Sequence, residues 1–211
     1  MALTPAAIAF GGHVQNFLGQ HGYPVAPYTT NVREYPDLAA PPTKAWATPG
    51  RVNWSPSYAS ALEAIAAKWG KRERLTAKQV DTIRIALHEG IHQMRYARTP
   101  ELFRGDSATP GTGAYFEEAS TEAAARDLLP IFTAKMFGHR IPNQDAVTGS
   151  YDAETQNLRH LSVFGSGAKD SKAYAARVWR RTFNHADAAT RQQMAAAAMQ
   201  KRAVWGKETG R

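Results

Sequence analysis

The chain has 211 residues, of which 43% are hydrophobic and 10% aromatic, with five Trp and a formal charge of +8. That composition supports a real core in one domain, or a domain with an appendage, and excludes a disordered or fibrous chain. Cys is absent, so disulfides and thiolate ligands are excluded and any metal must be held by His and carboxylate.

In chain order, Met1 to Phe10 lacks the basic start and sustained apolar run of a secretory signal. No apolar run approaches the roughly 20 residues of a membrane span. These features lead to the expectation of a cytoplasmic or virion-associated protein. Thr4-Pro5 reads as an N-cap and first helical position, opening a helix to about Gly19. Residues 22–50 carry six Pro and read as loops with one or two short strands, Val25–Thr29 foremost. Gly50 to Ser55, between a Pro-Gly turn and a helix start, is a second strand candidate. An amphipathic helix over Ser57–Trp69 follows, with Tyr58, Leu62, Ile65 and Trp69 on one face.

Thr76 and Gln79 then form a capping box that starts a helix running to about Tyr96. Val80, Ile83, Leu87, Ile91 and Met94 make its apolar stripe. Within it lies His88-Glu89-Gly90-Ile91-His92, the pattern H-E-x-x-H. Side chains four apart share a helix face, so both imidazoles can reach one Zn²⁺ at about 2.0–2.1 Å. Glu89 is turned roughly a third of a turn away, placed to act as a base rather than a ligand. Gly90 costs about 1 kcal/mol against Ala in a helix; a bare Cα there either lets another segment approach the metal closely or is simply tolerated.

A catalytic zinc usually has three protein ligands and an open position. The metzincin spacing requires Gly and His where this chain has Arg95 and Arg98, so that class is excluded. The next helix, Ala114 to about Phe137 with a kink or break near Pro130, carries Glu118 and Glu122 four apart. One of them could bind the metal while the other accepts the spare ring N–H of a liganding His.

The combination of His88-Glu89-x-x-His92 with Glu118-Ala-Ser-Thr-Glu122 resembles the gluzincins, the thermolysin-like zinc peptidases, in their minimal bacterial and phage forms. The resemblance covers roughly residues 45–165. It implies that Glu118 is the third ligand and Glu122 its supporting carboxylate. It also implies an edge strand above the active-site helix that pairs with extended substrate, for which residues 50–55 are the candidate. The segment Ser150-Tyr151-Asp152-Ala153-Glu154, opening a helix to about Val163, is similar to part of such peptidases. Tyr151 and His160 are the candidates for the donor that steadies the oxyanion.

Gly165-Ser-Gly reads as a break, followed by Ala-rich helices over about Lys169–Phe183 and Asp187–Val204. From Lys169 onward ten Lys or Arg oppose three acids, 10 − 3 = +7. These basic helices read as a solvated surface, with a protein assembly partner or, less favoured, nucleic acid as alternatives.

The expectation is therefore an α+β, mostly helical, small zincin-like domain over residues 1–165 with a basic helical extension over 166–211. A short β-sheet precedes the active-site helix and the Glu helix. The expected activity is hydrolysis of peptide or protein substrates by a Zn²⁺-activated water, with Glu89 as general base. The alternatives are a virion or assembly protein whose metal site is structural or vestigial, and a nucleic-acid-binding protein using the basic C-terminal helices.

Overall fold

The computed structural model describes residues 3–23, 27–33, 44–98, 113–138, 141, 152–167, 174–186 and 188–209. Among them are α1 (Pro5–Gln20), β1 (Thr29–Val32), β2 (Ala45–Thr48), β3 (Arg51–Trp54), α2 (Pro56–Lys68), α3 (Ala77–Arg98), α4 (Gly113–Phe137), α5 (Asp152–Ser166), α6 (Tyr174–His185) and α7 (Ala188–Thr209). The fold is α+β and mostly helical, as the sequence suggests.

Two compact units divide the chain: residues 1–107 with 125–148, and residues 108–124 with 149–211. The first holds α1, the sheet, α2, α3 and the second half of α4. The second holds the first half of α4 together with α5, α6 and α7, so the unit containing the basic helices begins before residue 166. Helix α4 continues through Pro130.

The first unit is built on aromatic packing. Phe10 and Phe17 of α1 meet Phe132 of α4 edge-on, with centroids 6.0 and 4.9 Å apart. Trp69 closes the group against Phe10 at 5.8 Å and Phe137 at 5.6 Å. Such pairs add about 0.5–1.5 kcal/mol each beyond their area burial. Helix α1 starts as its sequence dictates, with the Thr4 hydroxyl accepting from Ala7 N–H and Pro at the first position.

The sheet has the order β1-β3-β2. β3 pairs in parallel with β1 and antiparallel with β2. The strand expected at the substrate-facing edge, residues 50–55, is therefore the central one, with both of its edges taken inside the sheet. The first strand also begins later than expected, at Thr29, and Val25 lies outside the described residues. Pro49 and Gly50 close the β2–β3 hairpin, Gly50 taking the positive φ of 72° that a Pro-Gly turn requires.

Three elements are tied together at Asp81 near the start of α3. Its carboxylate accepts from Lys44 Nζ at 2.9 Å, from Tyr58 Oη at 3.2 Å and from Arg84 Nη2 at 2.7 Å. Lys44 precedes β2 and Tyr58 belongs to α2, so one half-buried acid fixes both against α3.

In the second unit, Leu158, Phe183, Ala195 and Ala123 form the core, with Trp179 and Met194 packed against them. The break expected at Gly165-Ser-Gly falls at its last residue: α5 runs to Ser166, three residues beyond Val163, and Gly167 takes the left-handed φ of 70°. Gly165 is there for packing, since a Cβ would lie 2.5 Å from Trp179 Cε2. Two of the C-terminal cations, Arg180 and Arg191, are buried, so this region is not solvated throughout. Arg180 donates to Ser162 Oγ at 3.1 Å and Arg191 to Ala186 O at 2.6 Å. Among the described residues no helix is long and apolar enough to cross a membrane.

Candidate metal centre

Helix α3 is set up by its own first turn and by its buried stripe. Gln79 N–H donates to Thr76 Oγ1 at 3.3 Å and Thr76 N–H to Gln79 Oε1 at 2.9 Å, a reciprocal cap that satisfies two end donors. Ile83, Leu87 and Ile91 are fully buried and Val80 nearly so. That burial fixes the rotation of the helix and brings His88, Glu89 and His92 into the interior, each under 8% exposed.

The two imidazoles turn the same ring atom toward one point, with His88 Nε2 and His92 Nε2 3.0 Å apart. Two nitrogens bound tetrahedrally to one zinc at 2.0–2.1 Å stand about 3.3 Å apart. The rings are thus spaced almost as a shared ion would hold them. Glu118, on the first half of α4, completes the group. One ligand atom from each of His88, His92 and Glu118 lies within 4.8 Å of the other two. Two nitrogens and one carboxylate oxygen, the histidines buried and Glu118 half-buried, fit a divalent metal ion.

Along the same helix Glu122 is fully buried, as are Ser120 and Thr121 beside it. The acidic pair is therefore not a solvated helix face. A carboxylate in such a place is costly unless it is paired or hydrogen-bonded.

Glu89 lies next to His88 and is almost fully buried. Its charge reaches Tyr28, just ahead of β1. Burial of the phenol, together with the Glu89 carboxylate, pushes the Tyr28 hydroxyl well above its ordinary range. The Tyr28 ring is partly exposed, but its oxygen is buried against α3, as the Gly90 contact shows. A Cβ at Gly90 would lie 2.7 Å from Leu18 Cδ1, 3.3 Å from Val14 Cγ1 and 3.4 Å from Tyr28 Oη. Gly90 is therefore where α1 and Tyr28 press onto α3. Tyr28 had no signal in the sequence, because a lone aromatic before a short strand marks nothing.

Gln93 is a second residue the sequence did not single out. Its side chain is buried and is spent on the β2–β3 turn. Gly50 N–H donates to its Oε1 at 3.1 Å, and its Nε2 donates to Thr48 O at 3.0 Å and Arg51 O at 2.8 Å.

Of the two candidates for an oxyanion donor, Tyr151 lies outside the described residues. His160 is exposed on α5 and is not part of the His88, His92 and Glu118 group. His13 stacks on Trp69 with ring centroids 4.2 Å apart, and His185 is half-buried.

No protein-family model, curated protein or solved structure matches this chain.

Proposed function

We propose that this chain is a zinc-dependent metallopeptidase of gluzincin type, with His88, His92 and Glu118 holding the metal and Glu89 serving as general base. The observation that carries the reading is the convergence of the two Nε2 atoms and the Glu118 carboxylate, with a buried acid one residue from the first histidine. A structural metal needs the three ligands but has no use for that acid.

Bound zinc supplies Lewis acidity, polarising the scissile carbonyl and making a water acidic near neutral pH. The protein's own part is proton handling and alignment. Glu89 takes the proton of the attacking water on its carboxylate and passes it to the leaving amine. Fixed on a buried helix, it performs both transfers without leaving the site. Glu122, buried one turn beyond Glu118, is suited to hold a liganding group in orientation. Zinc fits this donor set better than magnesium or calcium, which favour all-oxygen sites of higher coordination number.

The test is elemental analysis of the purified chain beside cleavage of a quenched peptide library. The expected result is one zinc per chain, lost in Glu118→Ala, and retained without cleavage in Glu89→Gln. Zinc with no cleavage by the wild type points instead to an assembly protein with a structural ion. No zinc at all overturns the reading.

A further inference from the structure

Helical periodicity places Gln93 on the Glu89 face of α3, one turn further on, and next in sequence to His92. Its carboxamide is fully committed to the hairpin, accepting from Gly50 N–H and donating to the carbonyls of Thr48 and Arg51. Three hydrogen bonds from one buried amide hold a two-residue turn whose backbone has no other described partner on α3. The end of β2 and the start of β3 are thereby fixed to the helix that carries the base and two of the proposed ligands. An amide is needed for this, because the turn presents one donor and two acceptors. A carboxylate could accept from Gly50 but would face two carbonyl oxygens.

We propose that Gln93 is a positioning residue for substrate: it sets the β2–β3 hairpin as the wall of the peptide-binding cleft beside Glu89. This rests on the peptidase reading. The hairpin takes no part in bond breaking, so its contacts hold bound substrate and transition state alike. Loosening it therefore weakens binding and leaves the chemical step intact.

The experiment compares wild type, Gln93→Met and Gln93→Glu, all loaded with zinc. Met has similar length and no hydrogen-bond donor, and Glu keeps the size and the acceptor but replaces the donor with a second acceptor. Three quantities are read: zinc per chain, hydrogen exchange at the Gly50 amide, and kcat and KM on a peptide the wild type cleaves. The expected result is unchanged zinc, Gly50 exchange at least tenfold faster, and KM raised about tenfold with kcat within threefold. A purely structural role that disturbed Glu89 would lower kcat instead, and that outcome overturns the inference. So does an unchanged KM with fast Gly50 exchange, which would leave the hairpin outside the substrate path. Unchanged Gly50 exchange in both variants would show that the clamp does not hold the turn. A wild type that binds zinc and cleaves no peptide removes the peptidase reading, and the cleft wall with it. That failure is separate from the others because it is seen before any variant is made.

Discussion

His88 Nε2 and His92 Nε2 face each other across 3.0 Å in the interior of the first unit. Two imidazoles at that distance, grouped with a Glu118 carboxylate oxygen, are a donor set that could hold one metal ion. Zinc should therefore raise the melting temperature of metal-free protein, by the equivalent of about 2.7 kcal/mol when free zinc is a hundred times Kd. His92→Ala should abolish that rise. Glu122→Gln should weaken zinc about 10–100-fold, the usual cost of losing a supporting carboxylate. Competition with a chromophoric chelator measures both, and an unshifted melting curve with zinc would contradict the site.

Gly90 is held by contact rather than by backbone angle. In Gly90→Ala the new methyl meets the buried Leu18 Cδ1 at 2.7 Å. Overpacking of a core costs typically about 1–3 kcal/mol. The gain in helix propensity returns about 1 kcal/mol. A net loss of up to about 2 kcal/mol is expected in urea unfolding. Leu18→Ala should cost less in the Gly90→Ala background than in the wild type, because the two share one space. Additive losses would show that the helices do not meet here.

The helices and the H-E-x-x-H geometry were legible because their signals are local. Thr76 with Gln79, Thr4 with Pro5, and histidines four apart each state a short-range rule. The strand order was not legible, since pairing between β1 and β3 depends on residues about 22 apart in sequence that no local pattern connects. Arg51–Trp54 reads equally well as an edge or a central strand until its neighbours are known. The break at Gly165-Ser-Gly was legible and falls at Gly167, but nothing local said that Gly165 itself makes room for an indole on another helix. Arg180 and Arg191 were counted with the solvated cations, because charge alone does not tell which side of a helix meets the core. Glu118 stood level with Glu122 until a family resemblance favoured it, and the three-residue group in the structure includes Glu118.

Asp81 links pH to the anchoring of β2 and α2. Burial alone would push its carboxyl up, but the charge of Arg84 and hydrogen bonds from Lys44 and Arg84 outweigh it and hold the group below its ordinary value. A carboxyl depressed by folding adds stability above its unfolded value and loses it as pH falls through the folded one. The contribution is thus complete at neutral pH and disappears only in acid below the ordinary carboxylate range. Asp81→Asn should cost about 1.5–3 kcal/mol at pH 7, the scale of hydrogen bonds to a charged group. The gap between variant and wild type should close in strong acid. A gap that is constant with pH would mean the charge of Asp81 is not what matters.

Gly165→Ala should be among the most damaging single-methyl changes in the second unit. The indole of Trp179 has no flexible end to give way, and it is stacked on Phe183 with centroids 5.1 Å apart. The expected loss is about 1–3 kcal/mol. Trp179→Leu should relieve much of it, in chemical unfolding of the double variant. Equal losses in both backgrounds would separate Gly165 from the indole.

The aromatic packing of α1 has a consequence during synthesis. Its partner Phe132 lies on α4, and Gln20 meets Lys135 across 115 positions of chain. A ribosome adding about 5–20 residues per second needs roughly 6 to 23 s to make that stretch. Until then Phe10 and Phe17 have only Trp69 and the nearer helices to cover them. Nascent chains stalled before Phe132 should expose α1 to protease, and chains stalled well beyond Phe137 should protect it; equal protection in both would refute this order. Helix α1 is thus made well before it is sealed, and for those seconds its aromatic face is the surface a chaperone would meet.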